Sequence, residues 1–273
     1  MAYDIERPYG PLIETTVRVA TWNTWARYGP WHDRERALLA ALLAAAPDIV
    51  VLMEAWDDED GSQAERLKGP LGLPHHVYGG APESGIAVLS RWPLSGREEQ
   101  RLGDRDRKGW DGGQALFVRA EGPRGPVQVA GVGLGWKLGH SAQRQEQVRE
   151  LGAFVRKAAD VESPVVVAGD FNADPHSDEI RMLTGRAAVT APGLVFYDAW
   201  ETAGDGTPGH TWARTNPWTQ PVLWPDRRID YILSAWPRPG GAGHPVHCEL
   251  LGTEPIGGIV ASDHYGVLAD LRY

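Results

Sequence analysis

The sequence has little of several features that mark particular classes of protein. One cysteine, Cys248, among 273 residues excludes an intramolecular disulfide and leaves the redox compartment open. Residues 1–8 lack the basic flank and apolar run of a signal peptide, and no stretch is long enough to span a membrane. We therefore expect a protein without a membrane span, and a cytoplasmic location is the default expectation.

Positive charge is also scarce. The chain carries 27 basic and 36 acidic side chains, a net charge of -9, which argues against holding nucleic acid by a broad basic surface. A nuclease is still compatible with this balance, because bound cations can offset repulsion within a cleft. The 12 tryptophans are the compositional outlier. The length is within the range that large two-sheet or barrel domains occupy alone, so we expect one domain over residues 1–273.

The most informative stretch is the segment 163–172. Three valines, preceded by Pro164 and ended by Gly169, predict a short buried strand that delivers Asp170 and Asn172 into a loop. An acid and an amide at the end of a rigid strand suit phosphate ester chemistry, since one can orient a water or bind a metal and the other can hold a substrate oxygen. An Asx-rich turn is an equally good structural explanation.

Two strands nearer the N-terminus also end on polar groups. Residues 16–25 alternate apolar and polar side chains into a strand that ends at Asn23, and the apolar run 49–53 predicts a buried strand that ends at Glu54. A carboxylate directly after a buried strand lies where a catalytic acid would be needed. A turn amide and a solvated glutamate are the structural alternatives for these two residues.

The C-terminal third adds two acids and a histidine. Residues 225–233 predict a strand in which Asp230 is embedded among apolar residues, and such an acid needs a partner. Asp263 and His264 precede a final strand and supply one. A satisfied structural histidine is the alternative, which the adjacent acid and the upstream Asp230 disfavour.

Strand patterns outnumber helical ones. Amphipathic helices are predicted from Asp33 and from Ser141, each of which can cap the helix that follows it. Residues 97–108 mix both charge signs and predict a solvated loop. Strand pairs joined by tight turns, with helices covering only some of them, indicate two stacked sheets with helices outside.

Together these segments resemble the endonuclease/exonuclease/phosphatase superfamily, which includes deoxyribonuclease I. The resemblance covers nearly the whole chain and rests on six motifs in order: Trp22-Asn23, the strand end at Glu54, Gly85 to Arg91, Gly169-Asp170-Phe171-Asn172, Arg228-Ile229-Asp230-Tyr231 and Ser262-Asp263-His264. It implies an α+β fold, a four-layer α/β/β/α sandwich of two stacked mixed sheets with the active site at one end of both.

The resemblance also implies a metal site. Glu54 resembles the principal Mg²⁺ ligand, and Mn²⁺ is a possible substitute. Asn23 would lie near the metal or the phosphate, and Asp263 would bind a second metal or steady the network. Oxygen ligands of this kind suit a hard divalent cation.

Four catalytic roles follow from the same resemblance. Asp170 would orient or deprotonate the attacking water, and Asn172 would hold a phosphate oxygen. His264, oriented by Asp230, would stabilise the charge that develops on phosphorus, or would activate the water instead.

Two positions depart from the family pattern. Many members have a second histidine at the end of the strand before the long helix, where this chain has Gly133. Loss of one positioned donor would cost roughly 10²-fold in rate unless His140, His210, Trp136 or the substrate fills the space. Relatives also usually carry glutamine at the position of Met53, so the surroundings of the metal are expected to differ.

Two classes of function follow. The first is a Mg²⁺-dependent hydrolase of phosphate esters, with phosphodiesters in nucleic acid or small molecules as expected substrates and no protein partner. The second is a relative with repurposed chemistry or a ligand-binding role on a non-phosphate metabolite, which Gly133 and the net negative charge favour. Five tryptophans are candidates for stacking on bases or on an apolar substrate: Trp110, Trp136, Trp212, Trp218 and Trp224.

Overall fold

Two six-stranded sheets stacked face to face form the body of the computed structural model, which describes residues 6–103, 112–160 and 162–273. In chain order the strands are β1 (Thr16–Asn23), β2 (Ile49–Ala55), β3 (Asp57–Asp58), β4 (Gly61–Ser62), β5 (His75–Ala81), β6 (Ser84–Ser90), β7 (Leu94–Leu102), β8 (Gly113–Gly122), β9 (Gly125–Gly133), β10 (Val165–Asp170), β11 (Phe196–Asp198), β12 (Asp230–Ala235), β13 (Pro245–Leu251) and β14 (Gly266–Arg272). The helices are α1 (Trp31–Ala45), α2 (Gln63–Leu71), α3 (Ser141–Ala158), α4 (Asp178–Leu183) and α5 (Ala199–Ala203), with a 3-10 turn at Pro239–Gly241.

Both large sheets mix parallel and antiparallel pairs. The first sheet has the order β13-β14-β1-β2-β6-β5, and the second has the order β11-β12-β10-β9-β8-β7. The pairs β1–β2 and β9–β10 are parallel, and their neighbours are antiparallel. β3 and β4 form a separate short ribbon.

The apolar runs are explained by burial on both faces of each sheet. Along β2, Val51 and Met53 face the other sheet, whereas Val50 and Leu52 pack beneath α1. In β10, Val166 faces the other sheet and Val167 packs beneath α3. Helices therefore cover the outer faces of two stacked sheets, and the predicted four-layer α/β/β/α sandwich is confirmed.

Some local predictions need correction. α1 begins at Trp31 after Pro30, so Asp33 lies in its first turn, where an acid complements the helix dipole, and does not cap it. Ser141 is likewise the first residue of α3 and not its cap. The strand predicted over 225–233 begins only at Asp230.

The predicted solvated loop over residues 97–108 is wrong in its first part. β7 continues to Leu102 as an edge strand, and residues 104–108 lie outside the described residues. Charged side chains are a common protection of an edge strand against pairing with other chains, so the mixed charge indicated the edge and not a loop. No helix in the described residues is long and apolar enough to cross a membrane.

Candidate active site

The central strands of both sheets end at one edge of the sandwich. β1 and β2 are parallel neighbours with Asn23 in register with Met53, so Asn23 and Glu54 leave their strands side by side. In the other sheet, Asp170 at the end of β10 lies directly opposite Asp230 at the start of β12. The predicted site residues of the two sheets therefore meet at the same edge.

Asn23 joins the two sheets. Its Nδ2 donates to Glu54 Oε1 at 3.0 Å and to Asp170 Oδ2 at 3.1 Å, while its Oδ1 accepts from the backbone N–H of Trp25 at 2.9 Å. A bulge in β2 at Glu54, whose φ is 51°, turns this carboxylate out of the strand pairing. One amide thus holds two acids from different sheets next to each other.

Asp170 is held by three N–H donors. Besides Asn23, the backbone N–H of Asn172 donates to its Oδ1 at 2.9 Å and Asn172 Nδ2 donates to its Oδ2 at 3.0 Å. The second amide hydrogen of Asn172 goes to the carbonyl of Leu134 at 3.2 Å. Burial first, and then the charge of Asp230, raise the pKa of Asp170 to about 7.

His264 and Asp230 form a buried pair. His264 Nδ1 lies 2.8 Å from Asp230 Oδ2, and the rings of Trp212 and His264 form a T-shaped pair with ring centres 5.2 Å apart. Thr211 Oγ1 accepts from the backbone N–H of Asp230 at 3.2 Å. Burial lowers the pKa of His264, but the charges of Asp230 and Asp263 outweigh it and raise that pKa well above the usual value.

Asp263 belongs to the same network. Ser262 Oγ donates to the carbonyl of Asn23 at 2.7 Å and lies 3.2 Å from Asp263 Oδ1, which ties the last motif to the end of β1. Burial raises the pKa of Asp263 to about 6, against the opposing charge of His264, and the charge of Glu54 adds to the increase.

Sequence reasoning missed Arg34. This arginine on α1 is 2% exposed and donates to backbone carbonyls of two loops that carry site residues. Its partners are Thr24, Trp25, Ala26, Tyr28 and Ala261. The available signal was its spacing, because Arg34 shares a helix face with the buried Leu38 and Leu42 at i+4 and i+8.

The charge balance of the site fits a divalent cation. Four carboxylates, those of Glu54, Asp170, Asp230 and Asp263, converge near two buried cationic side chains, His264 and Arg34. Asp230 Oδ1 is buried and has no hydrogen-bond partner among the described residues. Asp170, Asp230 and His264 also lie close together, since one ligand atom from each is within 4.8 Å of the other two, and the cation is left to the remaining acids because His264 is protonated. Oxygen-rich, acidic surroundings of this kind suit Mg²⁺ or Mn²⁺.

Open space lies at Gly133, where the sequence resemblance implies a second histidine. A Cβ built on Gly133 would meet nothing closer than Gln114 Cγ at 3.9 Å. A cleft of about 500 Å³ runs from Glu54 and Asp170 past Gly133 to Gln114 and Trp136. Of the three side chains considered as substitutes, Trp136 lines this cleft, whereas His140 and His210 do not.

The predicted aromatic residues fall into two groups. Trp136, Trp224 and Trp212 form an arc that ends on His264, with ring centres 6.0 Å and 5.8 Å apart along the arc. Trp218 instead packs on Trp25 and donates Nε1 to the carbonyl of Val260 at 2.9 Å, which is a structural arrangement. Trp110 lies outside the described residues.

A two-sheet sandwich with buried acids, amides and a histidine at one edge defines the class of deoxyribonuclease I-like phosphoesterases. The chain belongs to the Endonuclease/Exonuclease/phosphatase family, whose model matches residues 20–264. It is accordingly a hydrolase of the phosphoesterase or nuclease-like type, in a family that generally depends on a divalent metal.

Solved structures share this fold. TDP2 of D. rerio, crystallised with a single-strand DNA product, has a TM-score of 0.75 at 20% identity, covering 95% of this chain and 100% of its own. An endonuclease/exonuclease/phosphatase from Beutenbergia cavernae DSM 12333 is 27% identical with a TM-score of 0.67, covering 95% and 72%. The human Nocturnin catalytic domain with bound sulfate is 20% identical with a TM-score of 0.66, covering 95% and 96%. A comparison with curated protein sequences found no match.

Proposed function

We propose that the protein is a Mg²⁺-dependent phosphodiesterase that cleaves its substrate by attack of water. The observation that carries this proposal is the single amide of Asn23, which holds Glu54 and Asp170 together from two different sheets. Glu54 and Asp263 would hold the cation, with Asn23 beside them. When bound, such a cation neutralises charge on the phosphate.

Asp170 is the base in this proposal. Its pKa of about 7 lets it accept a proton from water near neutral pH while it still ionises readily. Its orientation is fixed by donors from Asn23 and Asn172. Because both amide hydrogens of Asn172 are used within the protein, we assign Asn172 to positioning Asp170 and not to holding a phosphate oxygen.

His264 is the charge stabiliser. Asp230 accepts from its Nδ1 and keeps the ring protonated, so Nε2 is left to donate toward an oxygen of the phosphate. A protonated ring cannot take a proton from water, which favours Asp170 over His264 as the base. The T-shaped contact with Trp212 helps to fix the orientation of the imidazole.

The substrate proposed is a phosphodiester, with nucleic acid as one source. The arc of Trp136, Trp224 and Trp212 beside the site supports a substrate that carries flat rings. The single-strand DNA product in the structure of the D. rerio relative agrees with this choice. A second candidate, chemistry on a non-phosphate metabolite, is favoured by the open space at Gly133.

A chromogenic phosphodiester tests the proposal. Bis-p-nitrophenyl phosphate is offered with Mg²⁺, with Mn²⁺ and with EDTA, to wild type, to Asp170→Ala and to Asp60→Asn, an acid whose side chain is 87% exposed and does not line the cleft. We expect metal-dependent turnover that falls by about 10²-fold or more in Asp170→Ala and is unchanged in Asp60→Asn. A well-folded wild type that hydrolyses neither this diester nor p-nitrophenyl phosphate would support the second candidate.

A further inference from the structure

A register row of five residues crosses the second sheet at the edge that carries the site. Moving across β12, β10, β9, β8 and β7, the residues directly opposite one another are Asp230, Asp170, Gly133, Gln114 and Arg101. Residues opposite each other on neighbouring strands point to the same face. The row therefore begins at the partner of His264, passes the proposed base and ends at an arginine.

This row faces the space between the two sheets. Ala168 and Leu116, each two residues from a row member on its strand, belong to the core between the sheets. At a strand spacing of about 4.8 Å, Gln114 lies about 10 Å from Asp170 across the sheet and Arg101 about 14 Å. Gly133 places no side chain between them, so the cleft is continuous from Asp170 to Arg101.

Arg101 has no ion pair with any residue that the structure describes. Glu99, two residues earlier on the same strand, binds the backbone N–H of Gly80 at 3.0 Å and pairs with Arg97. Gln114 donates one amide hydrogen to the carbonyl of Ser84 at 3.3 Å, which leaves its second. The far end of the cleft thus offers a guanidinium and an amide N–H, the donors that bind phosphate.

An aromatic surface borders the same cleft. Trp136 is 53% exposed, lines the cleft and stacks on Trp224 with an interplanar angle of 25°. Lys137 Nζ lies 5.7 Å from the centre of the Trp136 ring and adds positive charge on this side. Stacking on tryptophan is tolerant of ring type, since any base or flat ring has a π-face.

We propose that the cleft from Gly133 to Arg101 is a subsite for a second phosphate of the substrate, with Trp136 stacking on the ring attached to it. The preferred substrate class is then a phosphodiester that carries another phosphate and a flat ring, as a short single-stranded oligonucleotide or a small dinucleotide does. The inference rests on the proposed function, because it places the scissile phosphate at Asp170. It also assigns a role to the glycine, which opens the path that an imidazole would block.

The test compares substrates with one and two phosphates. Mg²⁺-dependent kcat/KM is measured for bis-p-nitrophenyl phosphate, a trinucleotide and a dinucleoside polyphosphate, in wild type, Arg101→Gln and Arg97→Gln. Arg97 is the matched control, because it lies on the same strand, carries the same charge and does not line the cleft. The preference is the ratio of kcat/KM for a two-phosphate substrate to kcat/KM for the chromogenic diester. In Arg101→Gln we expect this ratio to fall about tenfold, because KM for the two-phosphate substrate rises.

Salt dependence gives a second readout. For the trinucleotide, the slope of log KM against log salt should decrease by about 0.7 in Arg101→Gln, as expected for one lost phosphate contact on a single strand. If Arg101→Gln loses its preference only for the trinucleotide, an oligonucleotide substrate is supported. If it loses its preference only for the dinucleoside polyphosphate, a small-molecule substrate is supported. Equal effects of Arg101→Gln and Arg97→Gln, or none, would overturn the subsite.

The two proposals fail differently. If wild type hydrolyses the chromogenic diester but Arg101→Gln keeps the preference, only the subsite is wrong. If wild type hydrolyses no diester, the proposed function is wrong, and the subsite is then decided by binding of a fluorescent trinucleotide measured by anisotropy. Weaker binding by about tenfold in Arg101→Gln than in Arg97→Gln supports the subsite, and equal binding overturns it.

Discussion

His264 Nδ1 lies 2.8 Å from Asp230 Oδ2, in a pair whose side chains are only 6% and 1% exposed. A buried imidazole would ordinarily lose its proton, but here the surrounding acids raise its pKa well above the usual value. The site therefore contains a fixed cation, held by an acid on its far side. Such a cation suits the stabilisation of charge on a phosphate in the transition state.

Neutralising Asp230 should make the protonated form of His264 less stable. In Asp230→Asn the charge that keeps His264 protonated is gone, so the pKa of the imidazole falls and the activity on the alkaline side is lost at lower pH than in wild type. We expect kcat to fall about 10²-fold at its optimum. The measurement is kcat on the chromogenic diester as a function of pH.

The half-buried acid Asp226, which pairs with the exposed Arg214 and does not line the cleft, provides the control for this substitution. In Asp226→Asn, both the pH optimum of kcat and the pH at which kcat falls on the alkaline side should be the same as in wild type. An alkaline limb at the same pH in Asp230→Asn and wild type would show that this limb does not report on His264.

Introducing a histidine at Gly133 tests the role of the open space beside Asp170. Gly133 has ordinary strand geometry and a Cβ there would touch only Gln114 Cγ at 3.9 Å, so Gly133→His should fold with nearly unchanged stability. We expect kcat on the chromogenic diester to rise about tenfold or more, because a donor is added beside Asp170. KM for a trinucleotide should rise instead, because the imidazole narrows the path to Arg101.

Gly169→Ala is the contrasting substitution in this experiment. Gly169 has φ of 147°, and a Cβ there would clash with the carbonyl oxygen of Val132. This variant should unfold at clearly lower temperature, which shows that the tolerance at Gly133 is a property of that position. A fall in kcat of Gly133→His on the chromogenic diester would contradict the prediction.

The layers of this fold could be predicted from sequence because burial on both sheet faces leaves apolar runs, as in β2 and β10. The site was predictable for a related reason, since Asn23, Glu54 and Asp170 interrupt such runs where strands end. An edge strand does not produce an apolar run, because part of it is exposed to solvent. β7 carries charges on a half-exposed strand, so its pattern was interpreted as a loop.

Contacts across the chain were beyond sequence reasoning. The alignment of Arg101 with Gln114 and Gly133 depends on strand register, which bulges such as the one between Ser95 and Glu98 shift by whole residues. The hydrogen bonds of Asn172 likewise depend on its φ of 50°, and they changed its assignment from substrate contact to positioning.

Without metal, the acids of the site should make stability depend on pH. Asp170 and Asp263 have pKa values of about 7 and about 6 in the folded protein, both raised chiefly by burial. Their values in the unfolded chain are about 3.9, so between about pH 4 and pH 7 the folded state binds more protons. Their contribution to the free energy of unfolding therefore decreases as pH rises through this window.

A comparison of wild type with Asp263→Asn isolates one of these groups. In EDTA, the variant should melt above wild type at about pH 8, and this difference should shrink at about pH 5, where Asp263 of the wild type is protonated. Added Mg²⁺ should raise the melting temperature of wild type more at the higher pH and should raise that of the variant less. A difference between the two proteins that is independent of pH would exclude the assigned ionisation.

Arg34 should be essential for the stability of the fold through its hydrogen bonds and not only through its charge. Its guanidinium donates to five backbone carbonyls, among them those of Thr24 and Ala261, and so connects the loop after Asn23 to the segment before Asp263. In Arg34→Lys the charge is kept, but three donors on a point ammonium cannot reach the carbonyls that the planar fork spans. We expect a loss of about 2–4 kcal/mol in the free energy of unfolding by urea.

The same substitution should also weaken Mg²⁺ binding, because Asn23 and Asp263 lose the connection that holds their backbones. The readout is the rise in melting temperature per added Mg²⁺, and the control is Arg36→Lys, an exposed position on the same helix. Arg36→Lys should match wild type in both measurements. Equal urea midpoints for Arg34→Lys and Arg36→Lys would mean that the carbonyl contacts of Arg34 contribute nothing to stability. If Arg34→Lys loses the Mg²⁺ response while its urea midpoint is unchanged, Arg34 acts only on the geometry of the site.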